Sequence, residues 1–191
     1  MALGVYPGSF NPPTVAHLAI AETAWRQLGL DRVDLAVSRT ALGKEGVDVP
    51  SLEHRLEVLQ EVAASRPWLG VQVVDVQLIV DVAQGYDVVV MGADKWAQVL
   101  DPAWYGGSEV ERDQAVARLP TVAVVARPGV VLPDAEALGA VLLDVPDHHA
   151  EVSSSAVRAG RREWMLPEAV AFDDRTGAWT DQARYSRYRM T

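Results

Sequence analysis

The chain has 191 residues, 49% of them hydrophobic, which is enough for one well-buried domain and too apolar for a disordered segment. Its formal net charge of -9 argues against a broad nucleic-acid surface, which needs clustered Lys and Arg. The absence of cysteine removes disulfides, Cys-ligated zinc and thiol catalysis together.

No apolar run approaches the roughly 20 residues that cross a bilayer, and the start of the chain enters a strand without a charged leader. The expectation is therefore a cytoplasmic protein with no membrane partner and no nucleic-acid partner. A homo-oligomer is left open.

Strand and helix patterns alternate along the chain. Leu3–Tyr6 reads as a short buried strand. The segment Gly8-Ser9-Phe10-Asn11-Pro12-Pro13 then leads into a helix from Thr14 to Leu28, with Gly29 as its cap. Val33–Val37 reads as a strand, followed by a loop to Pro50 that carries Gly43, Lys44 and Gly46. Ser51 opens a helix to about Ser65, with Leu52, Leu56, Leu59 and Val62 as its apolar stripe.

Val71–Val74 is a third strand, and Gln77–Gln84 a short helix. Tyr86–Met91 is a continuous apolar run, as in a strand covered on both faces. Gly92-Ala93-Asp94 opens another helix, and Ser108–Arg118 a further one. Thr121–Ala126 and Ala140–Leu143 read as strands, with a turn at Arg127-Pro128-Gly129 after the first. Ser153–Arg161 reads as a helix begun by three serines. A polar tail starts at Asp173, either packed or loose. The division is a domain over residues 1–172 and a tail over 173–191.

Strands separated by helices imply right-handed βαβ units and a doubly wound parallel sheet, an α/β fold. Ligands of such sheets bind beyond the carboxyl ends of the strands. The Gly8 loop, the segment after Met91 and the serines before Arg158 all fall at helix starts. There, free N–H groups and the positive helix end favour anions. Gly8 and Ser9 allow close backbone approach to a phosphate, and equally make a plain turn. Thr14 and His17 share a helix face, a hydroxyl and an imidazole aimed at one point.

Ser153, Ser154, Ser155 and Arg158 form a second anion clamp, or simply a capped helix. Lys44 alone reads as solvated. Asp94 either caps its helix or holds a ribose or a substrate amide. Trp96 and Trp104 read as core or partner contacts, and His148-His149 as loop residues.

Gly8 to His17, ending Thr14-Val15-Ala16-His17, resembles the T/HxGH signature of the nucleotidylyltransferases. Val152-Ser153-Ser154-Ser155-Ala156-Val157-Arg158 resembles their ISSTxxR signature. The resemblance spans Leu3 to Val170. It is strongest to nicotinate or nicotinamide mononucleotide adenylyltransferases. The GSFNPxT start resembles their eukaryotic form, and Glu53-His54-Arg55-Leu56 a helix of their bacterial form. Gly92-Ala93-Asp94 followed by Trp104 resembles their GAD…W segment, and Trp164–Val170 their LVPEAV run.

The sequence departs from the bacterial pattern at Ala16, where glycine is usual. It has no counterpart of TIDTL between Asp75 and Met91. Leu78–Ala83 and the triple serine resemble phosphopantetheine adenylyltransferase instead.

The resemblance implies a Rossmann-like single domain and transfer of AMP from ATP to a small phosphorylated acceptor. Mg²⁺ would accompany ATP, and no metal ligands would come from the protein. It implies His17, Thr14, Lys44 and Arg158 as catalytic. Gly8, Ser9, Phe10, His17, Gly92, Asp94, Ser153, Ser154, Ser155 and Arg158 would bind nucleotide. Lys44, Arg55 and Trp104 would bind the acceptor. A phosphopantetheine adenylyltransferase, a cytidylyltransferase and an inactive nucleotide-binding module remain alternatives.

Overall fold

The computed structural model describes residues 1–39, 49–126, 132 and 138–190. In chain order the elements are β1 (Leu3–Pro7), α1 (Val15–Gln27), β2 (Arg32–Ser38), α2 (Leu52–Ala64) and β3 (Leu69–Val74). Then come α3 (Ile79–Val82), β4 (Val88–Gly92), α4 (Ala93–Leu100), α5 (Glu109–Val116), β5 (Thr121–Val125) and β6 (Val141–Leu142). The chain closes with α6 (Ser154–Arg158), α7 (Pro167–Thr176) and α8 (Gln182–Tyr188).

The six strands form one parallel sheet in the order β3-β2-β1-β4-β5-β6. The order reverses between β1 and β4, so the crevice beyond their carboxyl ends is the switch point where ligands bind. The period-two alternation of each strand divides the core. Tyr6, Leu35, Val37 and Val90 face one layer, with α1 and α2. Val5, Ala36, Val89 and Met91 face the other, with α4 and its buried Trp96.

Several bounds differ from the sequence reading, each for a local reason. β3 starts at Leu69 rather than Val71, because Gly70 belongs to the strand. A Cβ at Gly70 would meet Asp34 Oδ1 on the neighbouring strand, so any side chain there has to displace that carboxylate or the Arg32 guanidinium beside it. The serine helix spans only Ser154–Arg158, and Gly160 at φ +116° turns the chain out of it. The helix expected over Gln77–Gln84 is a single turn, Ile79–Val82.

The segment after residue 172 packs on the domain through its first turns and Tyr185, with 186–190 exposed. The division after residue 172 falls inside α7, and Asp173, Thr176, Trp179 and Tyr185 are buried. Trp179 and Tyr185 join Val58, Val157, Met165 and Phe172 in a third apolar cluster. Asp173 organises it. Its carboxylate accepts from the Trp179 and Thr180 amides at 2.8 and 3.2 Å and from the Thr180 hydroxyl at 2.6 Å.

Candidate active site

The loop between β1 and α1 sits at the switch point. The Gly8 N–H donates to the Ala36 carbonyl of β2 at 3.0 Å, which sets the direction in which the loop leaves the sheet. A Cβ at Gly8 would lie 2.8 Å from the Phe10 ring. Phe10 takes φ +42°, a left-handed conformation uncommon outside glycine, and its ring is 1% exposed. The ring meets Tyr6 and His17 edge-on at centroid distances of 5.5 and 5.1 Å. Phe10 therefore shapes the site from beneath rather than from its surface.

Thr14 and His17 close a reciprocal cap at the start of α1. The Thr14 hydroxyl accepts from the His17 amide at 3.4 Å, and the Thr14 amide donates to His17 Nδ1 at 3.0 Å. An Nδ1 that accepts a backbone N–H carries no proton, so the neutral ring keeps its proton on Nε2. Glutamate usually fills this capping position. Histidine here caps the helix and keeps a ring donor at an anion-favouring helix start.

α6 faces the same loop. Ser153 caps α6 by accepting from the Ala156 amide at 3.2 Å. The Ser154 hydroxyl donates to the Pro12 carbonyl at 2.7 Å, and Arg158 donates to the Asn11 carbonyl and, at 3.3 Å, to the Ser155 hydroxyl. The two sequence motifs, more than 140 residues apart, thus meet directly. Gly92 precedes α4 at the end of β4, and Asp94 stands exposed in the first turn of that helix.

A cleft opens from Gly8 and Ser9 towards α4 and Trp104. Arg55 is buried at its edge and donates to the Ser9 carbonyl at 3.1 Å. Trp104 comes from a short 3-10 turn, Pro102–Tyr105, after α4. Val82 and Val99 line the cleft, and Lys95 Nζ donates to Gln98 Oε1 at 2.6 Å within it. The described residues lining the cleft include two cations, Arg55 and Lys95, and no carboxylate.

Lys95 was invisible as a site residue in the sequence, where it reads as one more helix-surface lysine. Lys44 lies outside the described residues. His148 and His149 occupy a separate turn, Asp147–His149, where burial and then the neighbouring ring push the His149 imidazole below its usual range. Among the described residues, no group of three or more His, Asp or Glu could hold a metal ion. No helix among them is long and apolar enough to cross a membrane.

A glycine loop at the switch point, a serine–arginine helix start bonded to it and a cleft with two cations beside it among the described residues fit a nucleotidyltransferase of the α/β class. The chain belongs to the cytidylyltransferase-like family, whose pattern it matches over residues 5–160. It is 29% identical to a Salinibacter ruber protein named "Probable nicotinate-nucleotide adenylyltransferase", across 89% of this chain and 93% of that one. A Bacillus mycoides protein of the same name is 26% identical, across 93% and 97%.

The fold is shared with the nicotinic acid mononucleotide adenylyltransferase of Plasmodium falciparum, solved in complex with APC, at a TM-score of 0.65 and 11% identity. That alignment covers 91% of this chain and 94% of the other. The same enzyme in complex with NaAD aligns equally well, at 0.65 and 12% identity.

Proposed function

We propose that this enzyme transfers AMP from ATP to nicotinate mononucleotide and releases pyrophosphate. The observation that carries the acceptor class is the cleft beside the loop, whose described lining has two cations, Arg55 and Lys95, no carboxylate and an aromatic wall. In a chain of net charge -9, such a pocket focuses positive potential where an anionic acceptor would lie. The names of the full-length relatives support the same acceptor.

The reaction is an in-line displacement. An oxygen of the acceptor's phosphate attacks the α-phosphorus of ATP, the bond from that phosphorus to the bridging oxygen breaks, and pyrophosphate leaves with the electron pair. The attacking phosphate is already ionised at neutral pH, so no general base is required. Catalysis is then positioning and charge stabilisation.

His17 donates from Nε2 to a triphosphate oxygen as charge develops there. The N-terminus of α1 and the Gly8–Ser9 backbone hold the neighbouring oxygens. Ser155 and Arg158 hold the leaving phosphates. Gly92 and Asp94 face the nucleoside. Magnesium would accompany ATP and offset the charge that builds on its phosphates. Trp104 and Lys95 receive the pyridine ring, the ammonium meeting its carboxylate.

The test is a matrix of ATP and CTP against nicotinate mononucleotide, nicotinamide mononucleotide and phosphopantetheine, read by pyrophosphate release. The expected result is highest kcat/KM with ATP and nicotinate mononucleotide. A higher value with CTP or another acceptor overturns this assignment. Tight ATP binding with no release for any acceptor indicates a binding module.

A further inference from the structure

Beyond residue 160, where the family match ends, the C-terminal segment reaches back into the active-site loop. The Trp179 indole Nε1–H donates to Asn11 Oδ1 at 2.6 Å, across 168 residues of sequence. Both partners are shut away from water, Trp179 at 7% and Asn11 at 4% exposure. The indole is held in its turn. Its own amide donates to Asp173, its ring packs on Phe172 at a centroid distance of 5.9 Å, and Arg184 donates to the Asp173 carbonyl at 2.7 Å.

Asn11 is the node of the loop. Its carbonyl accepts from Arg158, its Nδ2 donates to the Val49 carbonyl at 3.3 Å, and it follows Phe10 with its left-handed backbone. A residue in that region persists only where its surroundings over-determine it. The bond from Trp179 supplies part of that determination.

We propose that Trp179 is a positioning residue for the triphosphate, acting through Asn11 on the Ser9–Thr14 loop and on Arg158. The proposal rests on the nucleotidyl-transfer reading of the same site. Without the indole donor, Asn11 Oδ1 is a buried acceptor with no other partner in the described structure. The side chain would turn to find one, and its backbone carries Phe10 and the carbonyl that Arg158 grips. The tail is thereby part of the catalytic apparatus although it contributes no group that touches substrate.

The test compares wild type with Trp179→Phe, and with benzothienylalanine at 179, which exchanges only the N–H for sulfur and keeps the ring's shape. ATP affinity is read by calorimetry without acceptor, and kcat and the acceptor KM by pyrophosphate release. Both variants are expected to bind ATP about tenfold more weakly, and to lose about tenfold in kcat, with the acceptor KM within about threefold.

Asn11→Ala with Trp179→Phe should be no worse than Asn11→Ala alone, because the two act in series. Benzothienylalanine has the shape to fold whether or not phenylalanine does. Wild-type ATP affinity and kcat in that variant overturn the proposal, as do losses that simply multiply in the double variant. Failure of the acceptor reading shows separately, as a wild-type enzyme inactive on nicotinate mononucleotide, and leaves the ATP-affinity comparison intact.

Discussion

At His17 the two ring nitrogens divide their tasks. Nδ1 accepts from the Thr14 amide and fixes the ring, which leaves the proton on Nε2 for a phosphate oxygen in the proposed reaction. His17→Ala removes both. The expected loss in kcat is about 10² to 10³-fold, the scale of deleting one preorganised donor. The lost cap should cost only about 1 kcal/mol, so a thermal melt should show a folded protein. Near-normal turnover in that variant would remove His17 from the chemistry.

Lys95 makes a different kind of claim, about choice of acceptor. Its ammonium donates to Gln98, and in the proposed reaction it is the cation that would meet the acceptor's ring carboxylate. Lys95→Met should lower kcat/KM for nicotinate mononucleotide about 10- to 100-fold, the scale of one hydrogen bond to a charged group. It should leave nicotinamide mononucleotide nearly unchanged. Equal losses on both acceptors would mean that Lys95 does not read the carboxylate.

Among the elements, the parallel sheet was legible because its strands are continuous apolar runs broken by helical periodicity. The loop before α1 and the start of α6 were legible because helix starts carry a local grammar of Gly, Ser, Thr and Pro. Their meeting, through Ser154 on Pro12 and Arg158 on Asn11, follows from the sheet's winding and needed the structure.

The role of the last 19 residues was not legible. Trp179 reaches Asn11 by a single long-range bond, which leaves no periodicity in the sequence. Gly70 hid the start of β3 for a related reason: its lack of a side chain answers to β2, not to its own strand. Gly70→Ala must displace the Asp34 carboxylate or the Arg32 guanidinium, 1.9 and 2.2 Å from the added Cβ. The expected cost is about 2–4 kcal/mol, a fall in Tm of roughly 5–15 °C. Gly70 stands near the amino end of β3, at the opposite edge of the sheet from the cleft. kcat measured well below the melt should therefore match wild type. A loss of kcat without a loss of Tm would contradict this separation of stability from chemistry.

For the molecule as a whole, the same Asp34 ties global stability to pH. Buried at 5% exposure, it accepts from Arg32 at 2.6 Å and from the Tyr86 hydroxyl at 3.0 Å. Burial, reinforced by the charge and hydrogen bond of Asp34, pushes the Tyr86 phenol up to about 12 from an ordinary value of 10.0. Below pH 10 the phenol is neutral in folded and unfolded chains alike, and the stabilisation is fully present. Between 10 and about 12 only the unfolded chain releases the proton, so it binds fewer protons than the folded one and stability falls as pH rises.

Tyr86→Phe should melt lower than wild type at pH 8, because Asp34 loses a hydrogen-bond donor. The gap should then narrow as pH rises from 10 towards 12, where wild type loses what the variant never had. Taking the difference between the two melting curves cancels the other alkaline groups, including Tyr105, whose phenol burial also raises. A gap that stays constant across this window would show that Tyr86 ionises alike in both states, and that its bond to Asp34 does not couple folding to pH.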